Sequence, residues 1–202
     1  MGRTYFTGVL PITLDDLSIG FNVGTVVNLD EDKLGIVGFT EAQVAKYVAE
    51  IFADNGFDPS LMPTVLADLR AFYDGYRFLP GAEPLYNATI CNWYLFNLVS
   101  NKGAQPDLVI DANVRTDVGW IRRLAGGGAN ALARVRAYVE RGEGEAASRS
   151  GLAAKFGRIK FDFEAAFPYY LYYLGYLTFK DPFTLAIPNL AVRQLLAEVI
   201  QS

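Results

Sequence analysis

The chain has 202 residues, 51% of them hydrophobic and 14% aromatic, enough to build one sizeable core or two small ones rather than a disordered segment. It contains no histidine and one cysteine, Cys91, which excludes Ser-His-Asp and Cys-His catalysis, histidine-ligated metals, Cys-rich zinc sites and an intramolecular disulfide. A net charge of −4 argues against coating nucleic acid by bulk electrostatics, and a single cysteine suits the reducing cytoplasm, where we expect the protein to reside.

In chain order, Thr4 to Val9 reads as a buried strand, Pro11 to Ile19 as a loop entering a short helix, and Val23 to Leu29 as another short strand. Thr40-Glu41-Ala42-Gln43 is a capping-box pattern. Val44, Tyr47, Val48, Ile51 and Phe52 then recur at helical spacing until Asn55-Gly56. Asp58-Pro59 restarts the chain, and Val65, Leu66, Leu69 and Phe72 mark a second apolar stripe that Gly75 ends.

Tyr76 to Tyr86 reads as a hairpin around the turn Pro80 to Glu83. A helix rich in large apolar residues follows over Thr89 to Val99, with Cys91, Trp93, Leu95 and Phe96. Gly126-Gly127-Gly128 and the stretch Gly142 to Gly151 flank a helix over Ala129 to Arg141, which places a boundary near residue 126. Beyond it we expect an aromatic helix over Phe161 to Tyr173. A hairpin across Asp181-Pro182 follows, then a final helix capped by Asn189 with Val192, Leu195, Leu196 and Val199 inward. The longest uncharged apolar run, Ala165 to Phe179, has 15 residues and contains Pro168, short of the roughly 20 a bilayer span needs, so no membrane partner is expected.

The most distinctive short motif is Tyr73-Asp74-Gly75-Tyr76-Arg77, where Gly75 allows a positive φ after a helix. It reads either as a structural corner or as a device that presents Arg77, whose guanidinium suits a bidentate phosphate contact. Charge is unevenly spread: residues 115 to 160 hold ten Arg or Lys against four Asp or Glu, a balance of +6, leaving −10 for the remainder. Solvated helix faces account for such a segment. A phosphate-facing patch with Arg122, Arg123, Arg134 and Arg136 is the alternative. The aromatic run from Phe161 to Phe179 reads as core rather than as base-stacking surface. Val26 to Glu31 imitates a Walker B strand, though Asn28 interrupts it, and no PD-(D/E)XK metal site is assembled by spacing.

Four stretches carry a family resemblance. They are Tyr5 to Asn22, opening Tyr5-Phe6-Thr7-Gly8-Val9-Leu10-Pro11, then Phe72 to Phe78, then Leu85-Tyr86-Asn87, and finally Leu174-Gly175-Tyr176-Leu177-Thr178 followed by Ile187-Pro188-Asn189. In order and approximate spacing they resemble the region after the Walker B strand in the AAA-ATPase-like family that commonly carries a C-terminal PD-(D/E)XK nuclease domain. No G-x-x-x-x-G-K-[ST] occurs, so the phosphate cradle of such an ATPase is absent from this sequence.

The resemblance implies a mixed α/β, predominantly helical fold. Residues 1–125 would be the C-terminal part of the ATPase-like domain, with residual strands. Residues 126–202 would be a helical lid and a small winged-helix-like α+β unit. It also implies that Thr7 at a strand end, followed by Gly8 and Pro11, senses the γ-phosphate, with Arg77 a second candidate. The family's ATP and Mg are implied only for a full-length parent, and this chain alone is expected to have no catalytic residue, metal or cofactor. The expected partners are a P-loop-bearing half or a second copy, because an open sheet would expose edges and apolar surface. A stand-alone protein- or nucleic-acid-interaction module is the alternative.

Overall fold

A computed structural model describes residues 30–106, 130–142, 144, 146–148, 152 and 163–201. Thr7, Gly8, Pro11, Arg122 and Arg123 therefore lie outside the described residues, as do Val26 to Leu29 of the Walker B imitation. Asp30, at the end of that imitation, caps a 3-10 turn over Glu31–Ile36, its side chain accepting from the Asp32 N–H at 3.2 Å.

Among the described residues there are six α-helices and one two-stranded antiparallel sheet, a predominantly helical architecture. Helix α1 spans Glu41–Asn55. Its capping box forms as the sequence predicts: the Gln43 N–H donates to Thr40 Oγ1 at 3.3 Å and the Thr40 N–H to Gln43 Oε1 at 2.9 Å. Gly56 ends it in the left-handed region at φ 64°. After a turn at Pro59–Leu61 capped by Asp58, helix α2 runs over Met62–Tyr73 and buries Val65, Leu69 and Tyr73.

Helix α3, Ala88–Ser100, is entered through Asn87, whose side chain accepts from Thr89 and Ile90. The hairpin expected over residues 76 to 86 shrinks to a single antiparallel bridge, Tyr76 to Leu85, closed by the turn bond from Ala82 N–H to the Leu79 carbonyl. Tyr86, the next residue, pairs with Phe39 on the other side, so residues 85 and 86 bridge two segments.

Helix α4 covers Ala131–Arg141 and α5 covers Phe163–Tyr173, the latter with Pro168 inside it. Strands β1, Thr178–Asp181, and β2, Thr184–Ala186, then pair in the register Thr178 to Ala186 and Phe179 to Leu185, with a bulge before Asp181 opposite Thr184. Neither edge of this hairpin is bare. Along β1 the Phe179 N–H reaches the Arg77 carbonyl at 3.4 Å, and along β2 Ala146 bridges Thr184. Helix α6, Leu190–Gln201, closes the chain and buries Ala191, Val192, Leu195, Leu196 and Val199.

One hydrophobic cluster joins these elements. It contains Val48 and Phe52 of α1, Leu69 of α2, Leu98 of α3, Val135 of α4, Phe167 and Leu171 of α5, Phe179 of β1 and Leu196 of α6. Residues from either side of position 126 thus share one core. The aromatic run is part of it: Phe167, Tyr170, Tyr172, Tyr176 and Phe179 are buried. Each fully buried side chain of this size contributes about 1.5–3 kcal/mol relative to an exposed one.

Leu196 is fully buried. Leu196→Ala should cost about 2–5 kcal/mol. Because the core is shared, Trp93 fluorescence in a Trp120→Phe background should report the same lowered urea midpoint as far-ultraviolet circular dichroism. A Trp93 transition left unmoved would show that α3 and α6 belong to separately folding units.

Candidate functional site

The end of α2 builds the site. Its last residue, Tyr73, is fully buried and sets its ring edge-on to Tyr94, 5.8 Å between centroids. Its carbonyl accepts from the Asn87 N–H at 2.9 Å, so the motif's first residue already holds the Leu85-Tyr86-Asn87 stretch. Asp74 leaves the helix in an extended conformation and Gly75 follows at φ 101°. A Cβ on Gly75 would stand 2.3 Å from the Pro188 carbonyl oxygen, so glycine is required here both for its φ and for the space.

Asn189 completes the joint from the far end of the chain. Its Nδ2 donates to the Asp74 carbonyl at 2.8 Å while its Oδ1 accepts from the Val192 N–H at 3.1 Å, capping α6. Tyr76 sits by Asn189 and Asn87, and a Cβ on Gly175 would stand 3.9 Å from its ring. Burial pushes the Tyr76 hydroxyl above the usual phenol range, with both asparagines pulling it back. Arg77 is then pinned by Thr178, whose hydroxyl accepts from the Arg77 N–H at 2.5 Å and donates to the Arg77 carbonyl at 2.9 Å. Three stretches separated by up to 115 residues thus meet in one corner.

The electrostatics of the corner are lopsided. Asp74 Oδ1 is shielded from solvent and has no hydrogen-bond partner among the described residues. Burial raises the Asp74 carboxyl above its ordinary value and the nearby Glu41 charge adds to this; the Gly75 N–H, Arg77 and Arg70 oppose it. Glu41, in the first turn of α1, takes hydrogen bonds from the Arg70 guanidinium and the Tyr86 hydroxyl, and these hold its carboxyl below the ordinary value. Cys91 is buried and its thiol is pushed up to about 12, which leaves it unreactive at neutral pH.

The Arg77 guanidinium makes no hydrogen bond or ion pair among the described residues, although the Arg77 backbone is held on both sides. No group of three or more Asp, Glu, Cys or His able to hold a metal ion occurs among the described residues. Among those residues, no helix is long and apolar enough to cross a membrane.

The basic candidates are split between two faces of α4. Arg134 lies over the Phe167 ring, 5.0 Å from its centroid, and lines a surface groove. Arg136, two residues on, is exposed on a different side of the helix. Sequence reasoning singled out Asn189 as a cap but not as the tie to Asp74, and it passed over Arg141, which lines the groove with Arg134. The seven-residue spacing of the two arginines, two helical turns, was the available signal for the latter.

Compared with protein-family models, curated proteins and solved structures, the chain matches none.

Two outcomes test the corner. The folded-state pKa of Asp74 is raised, so the stability tied to its neutral form is complete at low pH and is lost as pH rises through that value. Asp74→Asn should therefore raise the urea midpoint at pH 7 and leave it nearly unchanged near pH 3.5; a variant destabilised equally at both would refute the buried-charge penalty. Asn189→Ala should cost about 2 kcal/mol, one part from the cap and one from the unpaired Asp74 carbonyl. Asn189→Ser, which restores only the cap, should recover about half in the same assay.

Proposed function

We propose that the chain is the part of an AAA-ATPase-like protein that follows its Walker B strand. In this reading it acts as a lid and winged-helix-like arm and does not hydrolyse ATP by itself. The motif stretches that carry the resemblance support it, because those among the described residues are the ones that assemble the corner at Gly75. The order α5, β1, β2, α6 supports the winged-helix-like arm, with β1–β2 as the wing.

The observation that carries the reading is the state of Arg77. Two hydrogen bonds to Thr178 fix its backbone, yet its guanidinium has no partner among the described residues. An arginine fixed at its backbone, with no side-chain hydrogen bond among the described residues, suits a phosphate contact. In this reading Arg77 faces the nucleotide held by a P-loop segment, and Thr7 senses the γ-phosphate from a strand end. ATP and Mg belong to that assembly. The partner is the P-loop segment, with a second copy of the chain as the other candidate.

The purified chain should release no phosphate from ATP above buffer. A turnover that Thr7→Ala abolishes would overturn the proposal. The genomic DNA ahead of the Met1 codon, read in frame, should encode a G-x-x-x-x-G-K-[ST] loop and an acidic strand end. In the protein that carries both, Arg77→Ala should lower kcat on the order of a thousandfold, as loss of a phosphate-contacting arginine does, with Arg77→Lys recovering little.

A further inference from the structure

A shallow groove of about 300 Å³ runs along one side of α4. Its residues include Ala133, Arg134, Ala137, Tyr138 and Arg141; from the cap Asn130 to Arg141 the helical rise is about 16 Å, and Gly144 lies just beyond. Two alanines form the floor and two guanidiniums stand along it. Arg134 and Arg141 are seven residues apart, two turns, so their Cα atoms are about 10 Å apart on the same face. Among the described residues, no acidic side chain lines the groove.

Each wall has a physical reason to stay in place. Stacking over Phe167 restrains Arg134. Gly144 allows the chain to pass beside Tyr138, since a Cβ there would stand 2.1 Å from the Leu185 carbonyl oxygen and 2.9 Å from the Tyr138 ring. Arg193, from α6, donates to the Val139 carbonyl at 2.7 Å and ties α4 to the core. Arg141 is exposed and has no ion pair among the described residues.

We infer that this groove binds the phosphodiester backbone of a single-stranded nucleic acid. The two guanidiniums are set about two helical turns apart along one face of α4, which fits an extended polyanion better than a compact ion. Ala133 and Ala137 leave the space between the two guanidiniums low, and the β1–β2 hairpin already pairs with Arg77 along β1 and with Ala146 along β2. What remains is charge repeated along a line, which a phosphodiester supplies at every nucleotide. Binding of this kind is sequence-tolerant and strongly salt-dependent.

The test uses the whole chain and a fluorescein-labelled oligothymidylate read by anisotropy across a salt series. Arg141→Ala should weaken binding several-fold and reduce the slope of log K against log salt by about 0.7, the share of one phosphate on a single strand. Ala137→Glu, which puts a negative charge on the floor with a residue that favours helix, should abolish binding while circular dichroism stays unchanged. Arg136→Ala removes the same charge outside the groove and should leave affinity close to wild type. Equal losses from Arg136→Ala and Arg141→Ala would reduce the effect to net charge and overturn the inference. So would the absence of binding at low salt, or Arg141-dependent capture of a poly-glutamate peptide in place of the oligonucleotide. None of these outcomes depends on ATP turnover or on Arg77.

Discussion

The contact on which the rest of the structure depends is the one between Gly75 and the Pro188 carbonyl. Helix α2 must end in a positive φ for the chain to turn toward α3, and at that same residue the backbone entering α6 comes close enough to exclude any Cβ. Backbone is thereby packed on backbone between segments more than a hundred residues apart. Polar main-chain groups brought this close to a core must be satisfied, and they are: the Asp74 carbonyl takes Asn189, the Tyr73 carbonyl takes Asn87, and both Arg77 backbone groups take Thr178. The two asparagines also cap the helices they begin, so each orients a helix and fastens it to the corner at once.

Electrostatics follow from that packing. Ordering the corner buries one oxygen of Asp74 without a partner, while the neighbouring Glu41 gathers Arg70 and Tyr86 and stays ionised. Two carboxylates on adjoining elements are thus driven in opposite directions by their surroundings, one by burial and one by hydrogen bonds. Arg77 lies close enough to lower the pKa of Asp74, and no hydrogen bond joins their side chains. The corner is therefore a scaffold first, and any role in contacting phosphate rests on what it presents.

Much of the helical part was legible because it is local. Capping at Thr40 and Asn189, the glycine stop at Gly56, and the apolar stripes of α1, α2 and α6 are read within a few residues of one another. Helix α3 shows where that logic fails: it is apolar on most sides, so periodicity could not tell that Phe96 would be 71% exposed while Tyr94 and Leu98 are buried. The expected hairpin over 76 to 86 reduced to one bridge, and the adjacent Tyr86 pairs on its other side with Phe39, a long-range contact that no local pattern announces. Likewise, the structural reading of Tyr73 to Arg77 was available from Gly75, but its partners were not, since no spacing rule links Thr178 to Arg77 across 101 residues. The +6 segment marked α4 as basic without dividing its faces; only the helical geometry separates Arg134 and Arg141 from Arg136.

The most direct measurement compares two glycine-to-alanine variants by urea denaturation. Gly75 and Gly81 both have positive φ, at 101° and 78°, but a Cβ on Gly81 meets nothing within 4 Å. Gly81→Ala should therefore cost only its backbone strain, about 1–3 kcal/mol. Gly75→Ala should cost distinctly more, with amide shifts spreading to Asn189 and Thr178, since the clash with Pro188 pries the corner apart. If Gly75→Ala were no more destabilising than Gly81→Ala, the joint at Pro188 would not be what holds the two ends of the chain together.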